Sequence, residues 1–238
     1  MSALAIESST RQISIAIRDS SGEIVSAETL SGQASSAHFI PIVKELMDRA
    51  QVRGPDLHGI GVGIGPGSFT GLRLGIVAAK SLAYAWRVRL MGIETARLLA
   101  WQARSSVISA GRTPAVRMWT LQNAQRGEWF VGCFQVNAES PPDTVFPVQL
   151  MNRETWLGLL SAGDWVTGPV AAAQSELIAE LGAMLTPVAC HAPHAERWID
   201  LFELMLDLAP ATPGEGIDRA VWTMRPLYVR PSAAEENK

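Results

Sequence analysis

Over the first thirty positions apolar and polar residues follow a strand period, broken by short polar turns, and then change to a helical one. Ala3 to Glu7 is an apolar run that ends in the polar turn Ser8-Ser9-Thr10-Arg11. Gln12 to Arg18 alternates as a second strand, and Ser20-Ser21-Gly22 turns the chain into a third, Glu23 to Leu30. Phe39, Ile42, Val43, Leu46, Met47 and Ala50 recur at i, i+3, i+4 spacing, which predicts an amphipathic helix with Pro41 tolerated in its first turn. Strand Gly59 to Ile64, helix Phe69 to Trp86, strand Arg89 to Ile93 and helix Thr95 to Arg104 follow.

The order β-β-β-α-β-α-β-α is that of the ribonuclease-H-like fold used by actin, sugar kinases and Hsp70-type ATPases, an analogy that constrains function only loosely. After a Ser-, Gly- and Arg-rich loop, Ser105 to Pro114, the strands Val116 to Gln122 and Glu128 to Val136 flank the polar turn Asn123 to Gly127. This unit echoes residues 3 to 18 and hints at an internal duplication. A strand Val145 to Leu150, a helix Arg153 to Ser161, a strand Trp165 to Thr167, an Ala-rich helix Val170 to Leu181 and a helix Glu196 to Leu208 complete the pattern. The expected fold class is therefore α/β, two-lobed and actin-like, with mixed sheets flanked by helices. The expected lobes are 1–106 with 196–238, and 107–195. Helix Glu196 to Leu208 is expected to pack back on the first lobe, and the tail Pro231 to Lys238 beyond the Pro- and Gly-rich turn 210–216 to be disordered.

With 238 residues, 47% of them hydrophobic and eight of them tryptophan, the chain has the makings of large globular cores. No apolar run reaches the roughly 18 to 20 residues that a bilayer requires, since Lys80 interrupts the best one, Leu74 to Trp86. No secretory signal pattern is evident, and Cys133 and Cys190 alone suggest no disulfide framework, so a cytoplasmic location and no membrane partner are expected. The net charge of −3, without a cluster of Lys and Arg, argues that any nucleic acid is held by a partner.

Two places carry candidate chemistry. In the turn IESST, an acid at a strand end followed by hydroxyls suits a phosphate, with Glu7 as the acid and Ser8, Ser9 and Thr10 as donors. An ordinary hairpin turn uses the same residue types. The segment GVGIGPGSFTGLRLG, Gly61 to Gly75, reads as strand, glycine loop and helix, with Ser68 or Thr70 able to cap a helix whose free N–H groups suit an anion. Gly65, Gly67 and Ser68 would complete a phosphate cradle. No Lys follows Gly71 as in a P-loop, and Pro66 and Thr70 stand where a hydrolase elbow needs glycines. A dinucleotide-binding reading, with Glu94 ending the next strand, is disfavoured by Pro66 and by the three antiparallel strands that come first. Gly71, Gly75, Ala79 and Ala83 form a side-chain-poor stripe on the helix, open to packing on the lobe's own sheet or to contact with another molecule. No His-x-x-x-His pair accompanies His38, His191 and His194 flank Pro193 in a loop, and no Ser-His-Asp or Cys-His set can be assembled.

Together LAIESST, the single His38 opening the first helix, GIGPGSFTGLRLG, the NAQRGEWF turn and PLYVR near the end resemble the bacterial TsaB family, also called YeaZ. The resemblance implies a two-lobed actin-like fold and work with TsaD and TsaE. That assembly transfers a threonylcarbamoyl group from threonylcarbamoyl-AMP to the adenosine beside the tRNA anticodon, and TsaD is its catalytic paralogue. The resemblance also implies that the first two helices form a contact with TsaD, or with a second copy of this chain when TsaD is absent. The residues expected there are His38, Phe39, Ile42, Val43, Leu46, Gly71, Leu72, Gly75, Ile76 and Ala79. A bulky residue at Gly75 is then expected to abolish the complex and leave the monomer folded. Family members usually carry Asp at the position of Glu7, and Asp-Ala-Arg where this chain has Asn123-Ala124-Gln125, which puts a nucleotide site across the lobes in doubt.

The expected function is a non-catalytic subunit of that tRNA-modifying complex, with no catalytic residues, no metal and no required cofactor. Glu7 to Thr10 with Gly65, Gly67 and Ser68 is then a vestigial nucleotide site, open to weak ATP or ADP binding, and tRNA is met only through the complex. The glycoprotease label of the wider family finds no support. The rival classes are an actin-like ATPase or kinase acting through Glu7, Ser9 and Thr10, and a dinucleotide-binding oxidoreductase.

Overall fold

The computed structural model describes residues 1–30, 36–111, 115–208 and 221–229, with side chains in the first helix described from Phe39 onward. The side chain of His38, the turn at 210–216 and the tail 231–238 lie outside the described residues.

The first unit comprises Met1–Glu94 and residues from His194 to Pro226. Its strands are β1 (Ala3–Glu7), β2 (Gln12–Arg18), β3 (Ile24–Leu30), β4 (Gly59–Gly63) and β5 (Arg89–Ile93). They lie in the order β3-β2-β1-β4-β5, with β1, β2 and β3 antiparallel and β1, β4 and β5 parallel. Alternation sorts the central strands into two buried faces. Leu4, Ile6, Ile13, Ile15, Ile17, Ile60 and Val62 pack under α1 (Ser36–Ala50) and α2 (Phe69–Trp86) in one core. On the other face Gly59 and Gly61 make room for Phe202 and Trp198 of α6, the helix Ala195–Leu208. Glu203 of α6 holds Arg18 at 2.6 Å, and Glu196 accepts from Ser26 at 2.6 Å, which ties the helix to β2 and β3.

The second unit comprises Thr95–Pro193 and residues from Leu227. Its sheet, β10-β9-β6-β7-β8, is built from β6 (Val116–Asn123), β7 (Trp129–Val136), β8 (Asp143–Met151), β9 (Trp165–Thr167) and β10 (Met184–Leu185). Helix α3 (Thr95–Ser109) covers one face through Ala96, Ala100, Ala103 and Val107, which meet Met118, Phe134 and Trp165. The other face, with Trp119, Val131 and Cys133, is covered by Trp156 of α4 (Arg153–Leu157) and Ile178 of α5 (Ser175–Glu180).

Read from their long antiparallel edges, both sheets have one topology: three antiparallel strands in reverse chain order, then two parallel ones. The echo in the sequence is thus a repeated fold, and the α/β class with two mixed sheets flanked by helices is the one expected. The antiparallel β1-β2-β3 ribbon differs from the all-parallel sheet of a dinucleotide-binding domain. The division at residue 106 shifts to Glu94 and Thr95, because α3 packs on β6 and β7 rather than on the first sheet. The Ala-rich segment 170–181 contains only a single turn, Ala172–Gln174, and the short α5, its glycine neighbour Gly182 ending the run at positive φ.

Candidate functional site

The turn after β1 and the glycine loop after β4 meet because β1 and β4 are parallel neighbours that end side by side. Glu7 lies on the α6 face of the sheet at its very end, and Gly63 stands beside it: a β-carbon at position 63 would come within 3.0 Å of Glu7 Oε2. Ser8 points the other way, onto α2, where Gly71 and Gly75 face its carbonyl and its hydroxyl at equally short range. Gly67 does the same for the backbone of Ser9. Glu7, Ser8 and Ser9 are all buried.

Two of the N–H groups that could hold a phosphate, those of Ser9 and Ser68, are engaged inside the chain. Ser9 N–H donates to Glu7 Oε1 at 2.7 Å, and Ser68 N–H donates to the Ser9 carbonyl at 2.6 Å. The Ser68 hydroxyl caps α2 by accepting from Gly71 N–H at 3.3 Å. Thr10 Oγ1 donates to the Gln12 carbonyl at 2.8 Å and accepts from Gln12 N–H at 3.2 Å, so this hydroxyl braces the hairpin. Gly65 occupies a positive φ of 105°, open to glycine, and precedes a cis bond to Pro66. Burial pushes the Glu7 carboxyl up to about 7, against the smaller lowering effect of hydrogen bonds from Ser9 and Ser8. Among the described residues, Glu7 Oε2 and Ser8 Oγ have no hydrogen-bond partner. The structure thus brings Glu7, Ser8, Ser9, Gly67 and Ser68 together as a closely packed cluster.

The expected partner surface requires correction. Phe39, Val43, Leu46, Gly71, Leu72, Gly75, Ile76 and Ala79 are buried in the first unit's own core, and only Ile42 of the described residues in that set is half-buried. The small-residue stripe fits α2 onto the β1–β2 turn and the sheet beneath it. The outward face of α2 carries large residues that the sequence reading passed over. Phe69, Val77 and Tyr84 are 44%, 61% and 62% exposed, and Ile40 of α1 is 47% exposed. The Arg73 guanidinium stacks over Phe69 at 3.8 Å. Val77, Lys80, Ser81 and Tyr84 line one wall of a groove of about 420 Å³ whose other wall is Val221 and Trp222, the latter 74% exposed. The signal was present as large residues at 69, 77 and 84, close to two- and four-turn spacings on one helix face.

Asn123 and Gln125 shape the β6–β7 turn: Asn123 Oδ1 accepts from Gln125 N–H at 2.7 Å, and Gln125 and Arg126 take positive φ. Cys133 is a core thiol whose pKa burial pushes up to about 11. Among the described residues no group of three or more His, Cys, Asp or Glu side chains could hold a metal, and no helix is long and apolar enough to cross a membrane.

The TsaD family, described as tRNA N6-adenosine threonylcarbamoyltransferase, matches residues 23–140. The chain is 25% identical to the tRNA threonylcarbamoyladenosine biosynthesis protein TsaB of Escherichia coli, over 98% of this chain and 96% of that one. It is 28% identical to the Bacillus subtilis protein of the same name, over 69% and 68%. Among solved structures, an uncharacterised Pseudomonas aeruginosa protein described as similar to the peptidase YeaZ superposes with a TM-score of 0.74 at 22% identity, covering 96% of this chain and 99% of that one, which bears on fold alone.

Proposed function

Because this chain belongs to the TsaB (YeaZ) family, we propose that it is a non-catalytic subunit in the formation of N6-threonylcarbamoyladenosine in tRNA. In this reading it works beside a TsaD-type threonylcarbamoyltransferase and TsaE, and meets tRNA only through them. It forms a homodimer when the TsaD-type partner is absent. The observation that carries the reading is the closed cluster at the end of β1. A working phosphate site needs free N–H donors, whereas here Ser9 N–H and Ser68 N–H are bound to the chain's own oxygens and four glycines pack against the turn, two on its backbone and two on its side chains.

The catalytic work then belongs to the partner, and this chain contributes a surface. That surface is the outward face of α2 with Phe69, Val77 and Tyr84, continued by Trp222, in place of the buried stripe. Aromatic groups of this size, exposed beside a groove, suit the core of an interface of roughly 1,600 Å² in total. Net charge −3 agrees with tRNA contact through other subunits.

Calorimetric titration with ATP and magnesium tests the accessory role against the ATPase or kinase reading. No tight binding is expected, and tight binding that disappears in Glu7→Ala would overturn it.

A further inference from the structure

Glycine recurs at 63, 67, 71 and 75, every fourth residue, and each one abuts an atom of the Glu7–Ser9 turn. With the 2.6 Å bond from Ser68 N–H to the Ser9 carbonyl, these contacts seat the turn on the glycine loop and the first turns of α2, Gly67 and Gly71 against its backbone and Gly63 and Gly75 against the side chains of Glu7 and Ser8. Inside the seat Glu7 Oε2 and Ser8 Oγ lack partners among the described residues, and Glu7 and Ser8 are wholly buried.

The charge state of Glu7 decides whether this seat is comfortable. A protonated carboxyl is neutral and has an O–H to offer a neighbouring oxygen. A carboxylate left in the same place is an uncompensated buried charge. Among the described residues, the neighbouring elements bring no counter-charge to it. β2 offers Ser14 as the register partner of Glu7, β4 offers Gly63, and α2 offers Gly71 and Gly75. From α6, Trp198 and Phe202 face the sheet, while Glu203 and Glu196 are engaged by Arg18 and Ser26. Arg89 of β5 bonds the Leu206 carbonyl at 3.2 Å. Among the described residues, burial and the hydrogen bonds of Ser9 and Ser8 act on the Glu7 carboxyl, and no charged side chain does.

We propose that Glu7 is a proton-operated latch: protonated, it keeps the β1–β2 turn seated on the glycine loop; ionised, it lifts the turn and frees the Ser68 N–H group. Lifting hydrates the carboxylate, and it releases the donor at the start of α2 that the seated turn occupies. Because burial sets the Glu7 carboxyl at about 7, the change falls in the neutral range. The latch is independent of the assembly reading and is tested on the isolated full chain.

The test is amide hydrogen exchange at Ser68, followed by nuclear magnetic resonance at pH of about 6 and about 8 and corrected for the intrinsic rate. With a carboxyl near 7 when seated and near 4.5 when lifted, opening becomes about tenfold more frequent across that interval. Protection of the Ser68 amide is therefore expected to fall about tenfold, and amides of β6 and β7 in the second unit to hold steady. Glu7→Gln, equal in shape and always neutral, is expected to abolish the difference. If that variant does not fold, the carboxyl carbon of Glu7 in the unaltered protein decides, with a titration midpoint near neutrality expected. Equal protection of Ser68 at both pH values, or a Glu7 midpoint near an ordinary carboxylate, would overturn the latch.

Discussion

Gly75 of α2 stands directly against Ser8 of the β1–β2 turn, so close that a β-carbon at position 75 would come within 3.0 Å of the buried Ser8 hydroxyl. Gly75→Ala gains about 1 kcal/mol of helix propensity, yet it forces a packed turn to move, at about 1–3 kcal/mol. A net loss of up to about 2 kcal/mol is expected, read as a lower urea midpoint, and Ser8→Gly in the same chain should recover part of it. Gly75→Leu should unfold the first unit, where the sequence alone suggested a folded monomer that had lost its partner.

That reversal shows what was legible and what was not. The termini of α2, Phe69 and Trp86, follow from the Ser68 cap and the end of the apolar period, and the strand residues of β1, β2, β5 and β9 follow from alternation and turns. A stripe of glycine and alanine, however, states only that something approaches closely. A neighbouring turn satisfies it as well as a foreign helix does, and the choice depends on β1 and β4 ending side by side, a long-range pairing that local pattern does not encode. The acid and hydroxyls of the turn were legible for the same reason that their role was not. Hydroxyls mark both phosphate cradles and tight turns, and only the bond from Ser68 N–H to the Ser9 carbonyl separates the two.

The outward face of α2 should bind without supporting the fold. Val77 and Tyr84 are more than half exposed, so Val77→Glu and Tyr84→Glu are expected to change stability by no more than about 0.5 kcal/mol each. Both should sharply reduce co-purification with a TsaD-type partner, since a charge placed in an interface core loses its water. Retention equal to the unaltered chain would remove this face from the interface.

Stability should depend on pH through Glu7. Its folded pKa is raised from 4.5 to about 7, so its contribution is complete below about 4.5 and disappears as pH rises to about 7. Up to about 3 kcal/mol is involved, from 1.36 kcal/mol per pKa unit. His191 acts in the opposite sense: burial lowers its pKa, so stability is lost as pH falls through the ordinary histidine range. Denaturation midpoints at several pH values, compared between the unaltered chain and Glu7→Gln, isolate the carboxyl. Parallel curves would count against the assignment.

In the second unit Asp164 holds the sheet to the loop before β9. Its Oδ2 accepts from Trp119 Nε1 at 2.8 Å and from Ser161 N–H at 3.0 Å, both in buried or part-buried surroundings. Asp164→Ala strands both donors and is expected to destabilise by about 2–4 kcal/mol. Asp164→Asn, which keeps an acceptor, should lose less. Trp119 fluorescence during urea unfolding reads both.

Reconstitution of the tRNA modification tests the central claim most directly. Purified TsaD-type and TsaE partners, threonylcarbamoyl-AMP and unmodified tRNA are combined with and without this chain, and N6-threonylcarbamoyladenosine is measured by mass spectrometry of the digested tRNA. The modification is expected to form only when the chain is present, to persist with Glu7→Gln, and to fall with Val77→Glu. Equal modification without the chain would contradict its place in the assembly.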